Sequence, residues 1–390
     1  MKRNNVLIFT PLALENGRGG EISAMELANG LQDQFLVTLL DSNRIIGNKR
    51  LDRKLILKKL NGINRISRLN YLNFQLFNKN FSFPKLKAIR TLYKEMKLAR
   101  ITYTSLHDIK SILILILLVK LIRKTRLVVG FRKPLYSDKL FSIYNLKNRI
   151  SIILFKIFKK GIYIHTISQH AKKYLENFYD SKRVFHITHG IELGDYLDFK
   201  IEEKNENILK LIYVGYLDDI HKGVGVLIEA IKLLLVNSVQ MKISFEFCGT
   251  GPLESEVLNL EKNYPKKIKY NGYVSNDQIY KYYRRNDVFL FTSRREPFGR
   301  VIIESLAAGL LILCTKTYGS SEILKEKKFA FFVQDLTPQN LYQKIIEIYE
   351  LWNNKIKELR TLQVLARKYA LGNYSLSREL NMFKKLFIKL

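Results

Sequence analysis

The chain has 390 residues, of which 47% are hydrophobic and 26% are charged, as in an ordinary globular protein of about two domains. With 7 prolines and 20 glycines, the composition excludes a collagen-like or proline-rich chain. The formal net charge of +31 is unusual. It favours contact with a polyanion such as nucleic acid, an anionic lipid or a phosphorylated substrate.

The positive charge is concentrated in the first half of the chain. Residues 1–200 contain 37 basic and 14 acidic residues, whereas residues 201–390 contain 29 and 21. Residues 49–100 contain 15 basic and two acidic residues, interleaved with the aromatic residues Tyr71, Phe74, Phe77, Phe81 and Phe83. Two interpretations of this segment stay open: an insertion that faces a membrane or an acceptor, and a pair of packed surface helices.

Cysteine usage and hydropathy indicate where the protein works. Cys248 and Cys314 lie in apolar runs, which predicts buried thiols in a reducing compartment rather than a disulfide framework or a zinc site. The apolar stretch near the N-terminus is too short for a signal peptide. The most apolar run, Ile112–Val119, is too short to span a bilayer. We therefore expect a cytoplasmic protein, with peripheral attachment to the inner face of the membrane.

Short apolar strands alternate with helical patterns along the chain. The predicted strands of the first half are Val6–Phe9, Phe35–Leu40, Ile101–Tyr103, Arg126–Phe131, Ile162–Ile167 and Arg183–Ile187. Those of the second half are Lys210–Val214, Ile243–Phe247, Ile268–Tyr270, Asp287–Thr292, Leu311–Cys314 and Phe329–Val333. Predicted helices include Glu21–Leu31, Lys222–Leu235, Arg300–Ala308 and the amphipathic Leu376–Leu390. This alternation is typical of parallel sheets covered by helices on both faces.

The polar, acidic segment 192–209 lacks periodicity and separates two such alternating runs. The sequence therefore predicts an α/β protein with two Rossmann-like, doubly wound domains, 1–191 and 210–370, joined by a linker at 192–209. A C-terminal helix within 371–390 is expected to pack back on the first domain. Since doubly wound sheets bind ligands at the carboxyl ends of their strands, we expect the site in a cleft between the domains.

The strongest chemical signal is the segment 294–309, RREPFGRVIIESLAAG. Glu296 stands at a turn between a strand and a helix, and Glu304 lies along that helix. The start of such a helix offers free N–H groups to a phosphate, and Gly299 permits a close approach of the ligand. Because carboxylates accept hydrogen bonds from sugar hydroxyls, the pattern predicts a nucleotide-sugar pocket. The alternative is two solvent-facing glutamates around a helix cap.

Three further turns contain glycine. Lys222 follows a strand that ends at Gly215, and its point charge suits a diphosphate. The turn LENGRGG, which ends with Gly19 and Gly20, can cradle an anion, although the lysine of a P-loop does not follow it. The turn FCGTGPL matches an ordinary strand-to-helix connection better than a dinucleotide fingerprint.

Together these segments resemble retaining glycosyltransferases of the GT-B fold, in the family 4 group that includes bacterial lipopolysaccharide, capsule and lipid glycosyltransferases. The resemblance covers essentially the whole chain. The motifs that carry it are the E-x7-E pair in FTSRREPFGRVIIESLAAG, FCGTGPL, YNGYVSNDQIYKYYRRND, ISQHAKKYL with HITHGIEL, and RGGEISAMELANGL.

The resemblance implies roles for the matched residues. Glu304 would bind the ribose hydroxyls of the donor, and Glu296 with the backbone of Phe298 and Gly299 would hold the hydroxyls of the donor sugar. Lys222 would neutralise the diphosphate, so Lys222 and Glu296 are the predicted catalytic residues. The remaining donor contacts implied by the resemblance are Gly19, Gly20, Gly215, Tyr273 and Val274. The candidate phosphate or acceptor contacts are Arg18, His107, Arg132 and Arg294.

The sequence departs from the family pattern at three positions. Tyr216 stands where an arginine partner of Lys222 is usual, and His189 stands where an asparagine is common. Arg132 occupies a position where many relatives carry a histidine. We expect Arg18 or Arg294 to supply the missing positive charge, and no catalytic histidine is carried over from the family.

The resemblance implies transfer of a sugar from a nucleotide-diphosphate sugar to a growing glycan or lipid-linked glycan, with retention of anomeric configuration, in surface polysaccharide synthesis. We expect no cofactor and no metal, since no metal-binding DxD motif is present. The expected partners are the donor, the acceptor and an anionic membrane surface, without a specific nucleic acid. The alternatives are an inactive GT-B scaffold or glycan-binding protein, which Tyr216 and Arg132 support, and a nucleic-acid-binding protein, which the charge alone suggests.

Overall fold

The computed structural model describes residues 4–10, 14, 19–42, 52–60, 63, 65–69, 86–105, 109–131, 153–197, 201, 208–238 and 240–390. The chain divides into two compact units. The first unit comprises Met1–Thr188 with Glu379–Leu390, and the second comprises His189–Arg378. Each unit is built on one parallel sheet, so the predicted pair of doubly wound α/β domains is confirmed.

The first unit contains a seven-stranded sheet in the order β3-β2-β1-β4-β5-β6-β7. Its strands are β1 (Asn5–Phe9), β2 (Leu36–Ser42), β3 (Arg65–Leu69), β4 (Ile101–Ser105), β5 (Arg126–Phe131), β6 (Ile162–Thr166) and β7 (Val184–His186). Its helices include α1 (Gly19–Leu31), α2 (Arg53–Lys59), α3 (Leu86–Leu98), α4 (Ile109–Ile122) and α5 (Gln169–Glu176). All the pairings between these strands are parallel.

The second unit contains a six-stranded parallel sheet in the order β10-β9-β8-β11-β12-β13. Its strands are β8 (Leu209–Val214), β9 (Ile243–Cys248), β10 (Ile268–Tyr270), β11 (Val288–Phe291), β12 (Leu311–Thr315) and β13 (Ala330–Val333). Its helices are α6 (Gly194–Leu197), α7 (Val224–Asn237), α8 (Glu254–Asn263), α9 (Ile279–Arg284), α10 (Arg300–Ala307), α11 (Tyr318–Leu324), α12 (Pro338–Asn354) and α13 (Ile356–Asn373). The last helix, α14 (Leu376–Lys389), has most of its length in the first unit.

The sheets fold from strands that are apolar on both faces, as parallel sheets covered by helices require. In β1, Leu7 and Phe9 join a core with α3 and α4, whereas Val6 and Ile8 join a second core with α1. Alternate residues of one strand thus serve opposite faces of the sheet.

The C-terminal helix α14 completes the second of these cores. Phe383 is fully buried, and its ring packs 5.5 Å from Tyr103 and 4.8 Å from His165, centroid to centroid. His165 is itself buried, with Nδ1 3.3 Å from the Tyr103 hydroxyl and Nε2 3.0 Å from the Ile187 carbonyl oxygen. The amphipathic pattern at Leu376–Leu390 therefore corresponds to a helix whose apolar face belongs to the first unit.

The bounds of the units differ from those expected from sequence. The division falls between Thr188 and His189, ahead of the segment 192–209. Within that segment, residues of the second unit make specific contacts: the ring of Tyr196 packs 6.3 Å from that of Tyr280, and Arg367 donates to the Leu197 carbonyl oxygen at 3.1 Å. The sequence did not predict these contacts, because a few isolated residues make them and no periodic pattern marks such residues.

Each predicted strand corresponds to a strand of the structure within two residues at either end, but β3 was missed. Its sequence, RISRL, alternates arginine and serine with apolar residues, so no apolar run marks it. Among the described strands, β3 pairs with β2 alone, at the edge of the sheet. The described parts of 49–100 supply an edge strand and two helices, with Ile56 and Leu92 in the cores, which agrees with the interpretation of packed helices. The aromatic residues Tyr71, Phe74, Phe77, Phe81 and Phe83 lie outside the described residues.

Both cysteines are buried and free, as their apolar surroundings predicted. Burial raises the pKa of Cys248 to about 12 and raises that of Cys314 still further, which keeps both thiols protonated and inert. Among the described residues, no helix combines the length and hydropathy needed to cross a membrane.

Replacing Phe383 with alanine should destabilise the protein by about 3–5 kcal/mol, because the substitution leaves a cavity against Tyr103 and His165. The matched control is Ile388→Ala on the same helix, where the side chain is 61% exposed and the expected change is within about 0.5 kcal/mol. Urea denaturation followed by circular dichroism measures both. Equal effects of the two substitutions would show that α14 is not part of the core.

Candidate functional site

The site predicted from sequence lies where the winding of the second sheet reverses. β8 stands between β9 and β11, so the chain proceeds outward from it in both directions. The loop after β8 contains Lys222, and the loop after β11 contains Glu296. In doubly wound sheets this switch point is the place where a crevice forms at the carboxyl ends of the strands.

Lys222 and Glu296 meet across this switch point. The Lys222 Nζ lies 2.7 Å from Glu296 Oε2, and the two side chains are 27% and 18% exposed. A short, partly shielded ion pair of this kind combines charge with a directed hydrogen bond. The two residues for which catalytic roles are predicted are thus in direct contact.

The backbone around Lys222 is held on two sides. Asp218 Oδ1 accepts the N–H groups of His221 at 2.7 Å and Lys222 at 3.0 Å. From the other loop, the Thr292 hydroxyl donates to the Lys222 carbonyl oxygen at 2.8 Å. Lys222 therefore extends from a backbone whose conformation is fixed by the ends of both β8 and β11.

A glycine directly precedes the helix that follows each loop. Gly223 precedes α7 with φ of +62°, and a Cβ there would lie 2.5 Å from the Thr292 carbonyl oxygen. Gly299 precedes α10 with φ of +95°. Neither glycine has a side chain to cap its helix. Val224 donates to the Asp218 carbonyl oxygen at 3.1 Å and Ile302 donates to that of Gly299 at 2.9 Å, and the other first-turn N–H groups suit an anion.

The turn that carries Glu296 is fixed by its surroundings in the second unit. Gly319, at the start of α11, donates its N–H to the Glu296 carbonyl oxygen at 3.0 Å, and a Cβ at 319 would overlap the backbone of Phe298. Phe298 is buried, with its ring 5.5 Å from that of His189 and 6.2 Å from that of Tyr374. Phe298 therefore contributes packing as well as backbone to the turn.

Glu304 lies on α10 among polar aromatic residues. Arg300 Nε donates to Glu304 Oε1 at 3.2 Å, and the Tyr283 hydroxyl donates to Oε2 at 3.5 Å. Burial, followed by the charge of Glu304, raises the pKa of both Tyr196 and Tyr283 well above the ordinary value. Both hydroxyls consequently stay protonated, and Glu304 remains the acceptor of the group.

The ends of β8, β9 and β10 are connected by backbone hydrogen bonds. Gly215 donates to the Cys248 carbonyl oxygen at 3.0 Å, and Gly249 donates to that of Gly272 at 2.7 Å. The loop after β10 follows, with Tyr273 43% exposed and Val274 partly buried. Gly215 and this loop therefore lie at the carboxyl ends of the strands, as Lys222 does.

Three of the other predicted contacts, Arg294, Gly19 and Gly20, have other placements. Arg294 is paired with Asp219, Nη2 to Oδ2 at 3.1 Å, so its charge is already engaged in this structure. Gly19 and Gly20 begin α1 in the first unit. Arg18, His107 and Arg132 lie outside the described residues.

Sequence reasoning missed several residues that shape this site: Asp218, Thr292, Arg300, Tyr196 and Tyr283. The spacing of Arg300 and Glu304, four residues apart on a predicted helix, was a usable signal. The aspartates at 218 and 219 favour a turn that bonds its own backbone. No local pattern joins Glu304 to Tyr196. Within the described ranges, no group of three or more His, Cys, Asp and Glu residues is placed to hold a metal ion.

The segment that contains Lys222, Glu296 and Glu304 is similar to known proteins. Residues 197–362 match the family model Glycosyl transferases group 1. A glycogen synthase from Thermodesulfovibrio yellowstonii is 29% identical over 159 residues, which are 40% of this chain and 31% of that protein. An N-acetylgalactosamine-N,N'-diacetylbacillosaminyl-diphospho-undecaprenol 4-alpha-N-acetylgalactosaminyltransferase from Campylobacter jejuni is 28% identical over 134 residues, 34% of this chain and 36% of that protein. The chain therefore spans about a third of the length of these curated relatives.

Solved structures resemble the whole chain. Anabaena Alr3699/HepE in complex with UDP and glucose superposes with a TM-score of 0.73 at 14% identity and covers 100% of both chains. The pneumococcal O-GlcNAc transferase GtfA in complex with UDP and GlcNAc superposes with a TM-score of 0.74 at 12% identity, over 100% of this chain and 99% of that one. At such identities the likeness concerns the fold, and it confirms the predicted GT-B architecture.

The turn at Gly299 can be tested by substitution. Gly299→Ala should cost about 1–3 kcal/mol of stability, because the backbone is left-handed there and the new Cβ would lie 2.9 Å from Ile302 Cδ1. The control is Gly372→Ala in α13, which has no neighbour within 4 Å and should be neutral or stabilising by up to about 1 kcal/mol. Chemical denaturation compares the two. A neutral Gly299→Ala would mean that the turn does not require this conformation.

Proposed function

We propose that this protein is a retaining glycosyltransferase that moves a sugar from a nucleotide-diphosphate sugar to a growing glycan or lipid-linked glycan, without a metal ion. The observation that carries the proposal is the Lys222–Glu296 contact of 2.7 Å at the switch point of the second sheet. That contact lies inside the segment that matches the Glycosyl transferases group 1 family.

The proposed donor site uses both glutamates and the lysine. Lys222 and the N-termini of α7 and α10 face the diphosphate, Glu296 accepts hydrogen bonds from the sugar hydroxyls, and Glu304 accepts them from the ribose. The loop with Tyr273 and Val274 holds the base. The UDP in the HepE and GtfA complexes supports a uridine nucleotide as the first donor to test.

The reaction breaks the bond between the anomeric carbon and the oxygen of the β-phosphate, and it forms a bond from the acceptor hydroxyl oxygen to the same carbon. The electron pair of the broken bond stays on the phosphate oxygen, which also takes the acceptor proton on the same face of the sugar. Negative charge grows on the leaving diphosphate. Lys222 and the helix N-termini stabilise that charge because they are already oriented towards it.

Replacing Glu304 with alanine should weaken donor binding by about 1.5–3 kcal/mol, the contribution of a hydrogen bond to a charged acceptor. Thermal shift against UDP-, GDP- and ADP-sugars identifies the donor, since a ligand that binds the folded state raises its apparent stability. Titration then compares Glu304→Ala with Glu347→Ala, whose side chain is 46% exposed on α12. Equal affinities of the two variants would contradict the ribose assignment.

Replacing Lys222 with alanine should lower kcat far more than it raises KM, because the charge it faces is largest in the transition state. Lys232→Ala is the control, since that lysine is 48% exposed on α7. Sugar transfer is measured with the donor found by thermal shift, and proton NMR of the product gives its anomeric configuration. Donor binding without any transfer by the wild-type protein would instead indicate an inactive scaffold, and inversion would refute retention.

We extend the proposal to the membrane, where lipid-linked acceptors reside. Helix α3 buries Leu92 and Met96, and its acidic residue, Glu95, is also buried and paired with Arg65. The exposed side chains of α3 are Lys87, Arg90, Tyr93, Lys94, Lys97 and Leu98. Such a face combines positive charge with apolar groups, which suits an anionic leaflet.

The triple substitution Arg90→Glu, Lys94→Glu and Lys97→Glu should abolish flotation with phosphatidylglycerol vesicles, since each basic residue contributes about 1 kcal/mol at an anionic surface. A matched triple reversal of exposed lysines in the second unit, Lys325, Lys328 and Lys357, is the control and should leave flotation intact. Equal flotation of the two variants, or equal recovery with phosphatidylcholine vesicles, would refute docking through α3.

A further inference from the structure

A second concave site lies in the second unit, at the opposite end of the sheet from Lys222. A cavity of about 320 Å³ opens beside the amino-terminal ends of β8, β9 and β10. Lys210 and Ser244 are the second residues of their strands, and Ile268 is the first of its strand. At roughly 3.3 Å per residue, the length of β8 separates this cavity from Gly215 and the donor loops.

Positive charge dominates the lining. In the described part of the lining, five basic residues border the cavity together with the carboxylate of Glu246; the basic residues are Lys210, Lys266, Lys267, Lys269 and Arg285. Pro265 and the strand β10 fix the backbone from which three of these lysines extend. Like charges gathered around one concavity repel each other, and the arrangement is favoured when an anion binds there.

The carboxylate of Glu246 is already committed to protein groups. Glu246 is 7% exposed and forms an ion pair with Arg285. It also accepts the side-chain amides of Asn286 at 2.7 Å and Asn271 at 2.8 Å. Glu246 therefore balances Arg285 and holds the two asparagines, and the exposed Lys266 and Lys269 add two further positive charges to the described part of the lining.

We propose that this cavity binds an anionic ligand that carries phosphate groups. A concave site of this volume suits a small molecule or a lipid headgroup. A protein partner would need a larger and flatter surface. Lysine ammonium groups bind phosphate as point charges, while the Ser244 hydroxyl, which also lines the cavity, can add a neutral hydrogen bond. The site is separate from the proposed donor site, because none of its lining residues belongs to the loops after β8 and β11.

Glu246 connects the cavity to the loop proposed to hold the base, because it contacts both Arg285 and Asn271. Glu246 accepts from Asn271, and Asn271 directly precedes Gly272 and Tyr273. A phosphate group that draws Arg285 towards itself would act on Glu246 and hence on the start of that loop.

The probe is inorganic pyrophosphate, titrated by calorimetry into the full-length protein. Lys266→Gln with Lys269→Gln removes two exposed charges of the lining and should weaken the cavity's binding by about tenfold. Lys328→Gln with Lys357→Gln is the control, since both lysines are exposed outside the cavity. Lys222→Ala removes the contribution of the proposed donor site. Matching thermal midpoints of the two double variants without pyrophosphate show that both are folded.

The proposal predicts that binding persists in Lys222→Ala and in the control and is weakened in the cavity variant. Unchanged binding in the cavity variant, or complete loss in Lys222→Ala, would overturn it. Flotation with phosphatidylglycerol vesicles separates the sources of phosphate. A cavity variant that floats less than the control points to a lipid headgroup, and equal flotation with weakened pyrophosphate binding points to a soluble phosphorylated molecule.

Discussion

The ion pair between Lys222 and Glu296 is the interaction on which the proposed chemistry depends. Its members are 74 residues apart in sequence and come from loops after two neighbouring strands. Asp218 holds the backbone on one side, Thr292 holds it on the other, and Gly319 fixes the turn of Glu296. The pair is therefore a product of the sheet order: if β8 and β11 were not adjacent, neither side chain would reach the other.

Without a donor, each member of the pair neutralises the other, which lowers the cost of keeping a lysine and a glutamate partly shielded from water. A diphosphate would offer Lys222 a stronger partner than a carboxylate, and sugar hydroxyls would offer Glu296 donors in place of the ammonium. Binding of the donor would then exchange one set of hydrogen bonds for another. Arg294 is likewise paired with a carboxylate, that of Asp219. The sequence analysis expected this arginine to face the phosphates.

Local patterns predicted the parts of this site that are local. The helix expected at Arg300–Ala308 is α10 at Arg300–Ala307, because its apolar spacing and its glycine start are both properties of one short segment. The partner of Arg294 and the tyrosines around Glu304 were not predicted, because they depend on contacts between distant segments. β3 was missed for a different reason, since an edge strand pairs on one side only and does not need an apolar run.

The most direct measurement of the central claim is a crystal structure of the protein with a nucleotide-diphosphate sugar. We expect Lys222 Nζ to leave Glu296 and lie about 3 Å from a phosphate oxygen, Glu296 to accept from a sugar hydroxyl, and Glu304 to accept from the ribose. A nucleotide bound elsewhere in the second unit, with the Lys222–Glu296 contact intact, would contradict it.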